Sequence, residues 1–375
     1  MTFAGPGRGP GGAPAAIALS PILSARYRSR DLERIRAAAP GARLVTVSVE
    51  GLADGPVDDV EVMLRGWLNP DAFDRLLVRA PNLAWVHSAT SGVEGALTPA
   101  AIERGVVVTN ARGVFSRPIA EYVLMMILAV SRRLPQLLEL QQERTWQPLE
   151  GAELRDVTVG IVGLGSIGRA VGALATAFGC RVVAVRRRPG EDGTDAEGDR
   201  SSQPGTVVGS AETASADEAL VPAEGQAERS FGEAMLDRVG GPETLPELLG
   251  ESDFIVLAAP LTPETEGMID DATLAQVKPG AWLINVARGR LIDERALLRA
   301  LREGPLGGAV LDTFRDEPLP PTSPFYDLDN VIVTPHTAWS SGRVLDRSVE
   351  LFCDNLRRFA AGEPLLNVVD PAAGY

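Results

Sequence analysis

The 375 residues carry a formal charge of −14, with 50 acidic side chains against 36 Lys and Arg. That excess repels nucleic acid and anionic membrane surfaces, and no long basic block offsets it, so neither partner is expected. An apolar share of 45% and a charged share of 23% exclude a mostly disordered or fibrous chain. The length exceeds what one hydrophobic core organises, which predicts two domains. Cys180 and Cys353 lie far apart without ligand spacing, so no disulfide framework and no metal site are expected, and a reducing cytoplasm fits.

Residues 1–14 are rich in Gly and Pro, lack the apolar core of a signal peptide, and read as a flexible tail. Short apolar runs then alternate with helical stretches: Ile17 to Leu19, Leu44 to Val49, Val60 to Leu64, Leu83 to His87 and Val106 to Thr109. This rhythm predicts a first βα domain on a parallel sheet. Ser116 stands in an N-cap place and Pro118 suits a first turn, so Ile119 to Leu134 is expected to form a long, largely buried helix crossing between domains. Its apolar core, Ile119 to Val130, contains Glu121 and falls short of the ~20 residues that span a bilayer.

A second βα series comprises Val157 to Val162, Val182 to Val185, Phe254 to Ala258, Trp282 to Asn285, Ala309 to Leu311 and Val331 to Val333. The fold class is therefore α/β: two Rossmann-like βα domains with doubly wound parallel sheets and a cleft between them. Residues 118–336 would form the dinucleotide-binding domain. Residues 15–117, joined by 337–375 with a helical stretch from Gly342 to Ala361, would form a discontinuous substrate-binding domain. One segment breaks the rhythm. Glu191 to Glu233 holds eleven acidic residues against Arg200 and Arg229, without helical or strand period, and is expected to be a disordered surface insertion.

In Thr158-Val-Gly-Ile-Val-Gly163-Leu-Gly165-Ser166-Ile167-Gly168 an apolar strand runs into a G-x-G-x-x-G turn and then an amphipathic helix. Such a turn serves a dinucleotide: Gly163 permits the tight turn, Gly165 lets a pyrophosphate approach, and Gly168 allows close helix packing. Ser166 and Ile167 should touch the diphosphate. The next strand ends in Arg186, Arg187 and Arg188, where an NAD-specific domain would place an acid. Guanidinium groups there match the 2′-phosphate of NADP, so NADP(H) is favoured, with NAD(H) left open. Pro260, Thr262 and Thr265 after the third strand are expected to flank the adenosine or to form only a turn.

Three later segments, Asn285-Val-Ala-Arg288-Gly289-Arg290, Leu311-Asp312 through Glu317-Pro318, and Thr334-Pro335-His336-Thr-Ala-Trp339, resemble the D-isomer-specific 2-hydroxyacid dehydrogenase family. The resemblance runs from about Leu83 to Asn367 and includes Gly92-Val93, Thr109-Asn110 and Ile119-Ala-Glu121. It implies an NAD(P)-dependent oxidoreductase that reduces a small 2-keto acid, such as glyoxylate or hydroxypyruvate, to a D-2-hydroxy acid.

That chemistry needs a carboxylate anchor, a polarised carbonyl and a proton donor. Arg288 can grip carboxylate and carbonyl together through its fixed fork. His336 is the natural acid, and Glu317 on its far nitrogen would favour the imidazolium. The only other histidine, His87, ends a strand in the first domain and reads as structural, with a place on the cleft wall as the less favoured alternative.

The resemblance further implies that amides of Ser91, Gly92 and Val93 bind the substrate carboxylate and that Arg65, Gly66 and Trp67 line the pocket. Asp312 would hold the nicotinamide amide, and Val286 and Ala287 would touch the cofactor. Trp339 would close the nicotinamide side or fill the core. Glu94 stands where Asp is usual after Gly-Val, a change expected to be structural. The family also implies a homodimer. Because it includes corepressors, a dinucleotide-sensing interaction protein is the alternative.

Overall fold

The computed structural model describes residues 11–22, 27–187 and 236–371. The expectations for Arg188 and for residues 191–233 fall outside them. The described chain divides into two compact units, one of residues 1–122, 260–266 and 336–375, the other of residues 123–259 and 267–335.

The first unit begins with β1 (Ala16–Leu19), α1 (Ser29–Ala38), β2 (Arg43–Thr46), β3 (Val60–Arg65), α2 (Pro70–Arg79), β4 (Trp85–Ser88), α3 (Pro99–Glu103) and β5 (Val107–Thr109). The five strands pair in parallel in the order β2-β1-β3-β4-β5. Their near-continuous apolar runs suit a parallel sheet, which is buried on both faces. Helices start where the local chemistry satisfies free amides: the Asn69 side chain accepts from Asp71 N, and Pro70 occupies the first turn of α2.

The next helix, α4 (Ser116–Ser131), starts at Ser116 itself and stops before Arg133, whose φ of 55° is left-handed. The single helix expected to reach Leu134 is thus two, with α5 (Leu134–Gln142) beginning after the break. Pro135 sits in the first turn of α5, where its missing N–H costs nothing.

The second unit continues with β6 (Thr158–Val162), α6 (Ser166–Ala177), β7 (Arg181–Val185), β8 (Arg238–Gly240), α7 (Leu245–Glu251), β9 (Phe254–Leu257), α8 (Asp271–Leu274), β10 (Trp282–Asn285), α9 (Glu294–Arg302), β11 (Gly308–Leu311) and β12 (Val331–Val333). Its seven strands are all parallel, in the order β12-β11-β10-β9-β6-β7-β8. The six expected strands are present. The seventh, β8, is a three-residue edge strand beside β7, too short and too polar to announce itself in the sequence.

The last helix, α10 (Val344–Ala361), belongs to the first unit and packs along α1. Phe352 and Phe359 project from it onto the fully buried Trp85, with ring centroids 5.5 and 5.6 Å apart. Truncating either Phe would cost ~3–5 kcal/mol, the usual loss for a core aromatic. An ionic clasp reinforces the contact: Arg28 grips the buried Asp31 and reaches Asp346 of α10 at 2.5 Å. Burial alone would raise the Asp31 carboxyl, but hydrogen bonds from Arg28 outweigh it and hold the group below its ordinary range. The end of the expected flexible tail is fastened as well, since Gly12 N–H donates to Ala360 O at 2.7 Å and Pro14 is buried.

Candidate active site

In parallel sheets ligands collect at the carboxyl ends of the strands, beside the point where strand order reverses. In the second unit the chain runs from β6 outward to β7 and β8, then returns to β9 on the other side of β6. The glycine turn lies at that reversal. Gly163 has φ of 101°, and a Cβ there would come within 2.5 Å of Ala259 N, so both conformation and the neighbouring strand require glycine. A Cβ on Gly168 would overlap Gly163 O and press on Ile161, so this glycine sets how closely α6 approaches β6.

Gly165 behaves differently. A Cβ there would meet nothing within 4 Å, and Gly165 caps α6 with no side-chain hydrogen bond. The turn therefore leaves open space in front of uncapped amides at the N-terminus of a helix, which is what a pyrophosphate needs. Gly163, Gly165, Ser166, Ile167 and Gly168 fit a dinucleotide on these grounds. Arg186 follows β7, its N–H donating to Gly240 O of β8, and the exposed Arg187 comes next.

Arg288, Asp312 and Glu317 follow the ends of the neighbouring strands β10 and β11 in this same unit. The backbone at Gly289 runs so close to Phe314 and Arg315 that a Cβ would overlap their peptide bond, which presses the Arg288 segment against the loop carrying Glu317. Glu317 accepts from Phe314 N–H at 2.9 Å, and Arg288 donates to Ala287 O at 2.8 Å. Val286 and Ala287 are buried beside it. β12 leads through Thr334 and Pro335 to His336, which adopts φ of 50° and opens the returning segment of the first unit. Trp339 is half-buried there, edge-on to Phe115 with centroids 6.5 Å apart. Thr262 and Thr265 form a closed turn in which Thr265 Oγ1 donates to Pro260 O at 2.7 Å and accepts from Thr262 N–H at 2.8 Å.

At the carboxyl edge of the five-stranded sheet, the loop after β4 has its carbonyls tied and its amides open. Asn110 Nδ2 donates to Ser91 O at 3.0 Å, and Thr90 Oγ1 donates to Gly92 O at 2.7 Å. Among the described residues, the N–H groups of Ser91, Gly92 and Val93 donate to no protein acceptor. Three successive amides without a protein acceptor leave this loop with donors of the kind a carboxylate can use. Asn110 and Thr90 hold it in shape. The sequence signal for them was a polar pair at two strand ends, which by itself specifies no partner.

Two side chains of this unit are held inward. Arg65 is buried, and its guanidinium turns inward to Leu68 O at 2.5 Å and to the Phe73 ring at 5.4 Å, with burial pushing it down to about 10. It acts as a strut under the loops; of the three expected pocket residues only Trp67 is well exposed, while a Cβ on Gly66 would overlap Pro21 O. His87 takes the structural role, not the cleft-wall alternative: it is fully buried, packed on Phe352 at 5.7 Å, and burial pushes its ring down to about 3. Among the described residues no cluster of His, Cys, Asp and Glu could hold a metal, and no helix is long and apolar enough to cross a membrane.

Comparison with known proteins agrees with this architecture. The family model described as D-isomer specific 2-hydroxyacid dehydrogenase, NAD binding domain, matches residues 124–240 and 227–338. A glyoxylate reductase of Korarchaeum cryptofilum is 32% identical over 300 residues, covering 78% of this chain and 77% of that protein. A D-isomer specific 2-hydroxyacid dehydrogenase of Xanthobacter autotrophicus Py2, solved with NADPH and MES, superimposes with a TM-score of 0.75 at 30% identity, covering 97% of this chain and 100% of that one. An NADPH-dependent glyoxylate/hydroxypyruvate reductase of Sinorhizobium meliloti, solved with NADP and sulfate, gives 0.71 at 26% identity, covering 96% and 100%. With its glycine turn at the strand reversal and both expected sheets in place, the chain belongs to the D-isomer specific 2-hydroxyacid dehydrogenase family.

Proposed function

We propose that this oxidoreductase uses NADPH to reduce a small 2-keto acid of the glyoxylate or hydroxypyruvate type to its D-2-hydroxy acid. The observation that carries the substrate class is the run of free amides at Ser91, Gly92 and Val93, which suits a compact carboxylate and leaves no protein group competing for it. The names of the Korarchaeum and Sinorhizobium relatives support the same choice, as do Arg186 and Arg187 beside the expected 2′-phosphate position.

The bound nicotinamide supplies the hydride. Arg288 orients the keto acid and polarises its carbonyl, His336 delivers the proton to the carbonyl oxygen, and Glu317 steadies the imidazolium. Oxidation of NADPH followed at 340 nm with a panel of 2-keto acids tests the reading. Activity on two- or three-carbon keto acids, reduced ~10²- to 10⁴-fold by His336→Ala with NADPH affinity intact, is the expected result; inactivity on the whole panel would reject it.

The active species is a homodimer, a reading supported by Met125, Leu134, Leu137, Leu138 and Trp146, which expose apolar surface within one short stretch of the second unit. Trp146 is completely exposed. Leu137→Glu with Leu138→Glu should convert the dimer to monomer in light scattering; an unchanged mass would exclude this face.

A further inference from the structure

The amide of Asn285 has no freedom to serve solvent: the residue is fully buried at the end of β10. Its Oδ1 accepts from Ala287 N–H at 3.1 Å, and its Nδ2 donates to Arg288 O at 3.0 Å. Its main-chain carbonyl accepts from Asp312 N–H at 3.1 Å, and the Asp312 carboxylate accepts from Thr334 Oγ1 at 2.5 Å. One continuous hydrogen-bonded path thus ties the ends of β10, β11 and β12, which are adjacent in the sheet. These strands lead respectively to Arg288, Glu317 and His336.

We propose that Asn285 is a positioning residue that sets the backbone of Arg288 and registers it against the β11 and β12 ends through Asp312 and Thr334. The inference rests on the reading of Arg288 as the carboxylate anchor. Only a side chain with a donor and an acceptor on separate atoms of a short stem can bridge an N–H and a C=O lying two and three residues ahead. Aspartate lacks the donor and alanine lacks both, so either leaves a buried polar group unsatisfied, a loss concentrated in the segment that carries Arg288. Gly289, pinned against Phe314 and Arg315, turns any shift of that segment into a shift against the Glu317 loop.

Asn285→Ala and Asn285→Ser test this, the serine keeping a polar atom in case alanine does not fold. In hydrogen exchange by mass spectrometry, peptides covering residues 286–289 should exchange at least tenfold faster in both variants, with strands away from this edge unchanged. Steady-state reduction of glyoxylate at saturating NADPH should lose at least tenfold in kcat/KM. In an Arg288→Lys background the same Asn285 substitution should cost less than twofold, because residues acting through one group are not additive. Unchanged exchange, or an equal cost in the Arg288→Lys background, would overturn the proposal. Faster exchange in a protein whose wild type reduces no 2-keto acid would support the hold on the Arg288 backbone while rejecting the reading of the activity.

Discussion

Replacing His87 with Gln should remove an acid-sensitive loss of stability that the wild-type fold carries. The ring is fully buried between Trp85 and Phe352. Thr109 Oγ1 accepts from Trp85 Nε1 at 2.8 Å and stands 2.8 Å from His87 Nδ1. Thr109 thus meets the ring at Nδ1, while Nε2 is buried with no hydrogen-bond partner among the described residues. Among the described residues no carboxylate pairs with the ring, and burial drives it from 6.5 down to about 3. The sign follows from linkage. The unfolded chain binds this proton below about 6.5 and the folded chain does not until about 3, so His87 leaves stability untouched above 6.5 and erodes it as pH falls between those values. The slope is ~1.4 kcal/mol per pH unit, which gives ~2 kcal/mol lost between pH 7 and pH 5. The sequence contains only one other histidine, His336, and its contribution is common to both proteins. Urea unfolding monitored by tryptophan fluorescence at pH 7 and pH 5 measures the difference. Wild type should lose ~2 kcal/mol more than His87→Gln over that interval, whatever the substitution costs at pH 7. Equal losses would refute the argument that the buried ring stays neutral.

The glycine turn gives a paired test. Gly165→Ala adds a methyl to open space, so the thermal midpoint should hold within a few degrees while NADPH binding by fluorescence titration weakens at least tenfold. Gly168→Val drives a branched side chain into Gly163 O and Ile161, and should instead abolish soluble expression or lower the midpoint by more than ten degrees. Weakened folding in the first variant, or normal folding in the second, would contradict the geometry. For the arginines after β7, Arg186→Ser with Arg187→Ser should lower kcat/KM for NADPH by tenfold or more and leave NADH within threefold, since a 2′-phosphate is all that separates the two. Equal losses with both would place these side chains outside the phosphate site.

Much of this architecture was legible because each layer of information agreed with the next. The strands were found where apolar runs three to six residues long met turn chemistry, and the G-x-G-x-x-G turn was found because a strand precedes it and a helix follows. What escaped was information that resides only in three dimensions. β8 is recognisable by the neighbour that completes its hydrogen bonds, and its own three residues carry no pattern. The break between α4 and α5 depends on one arginine in a left-handed conformation that its side chain does not favour. The inward course of Arg65 is of this kind: a charged residue at a strand end suggests solvent and ligand, whereas its guanidinium is held inside by an aromatic ring and a backbone carbonyl. Asn285 is the opposite case. In the sequence it is merely the residue before Val286 and Ala287, yet its two amide atoms and its carbonyl bind three different backbone groups. An asparagine is conspicuous at a cap or turn, where its partner is a residue or two away and the surface is near. Here the partners are equally local but the site is fully buried, so its importance is set by the cost of leaving those groups unpaired in a dry interior. That cost rises with burial, and burial is the property that one chain read in isolation expresses least directly.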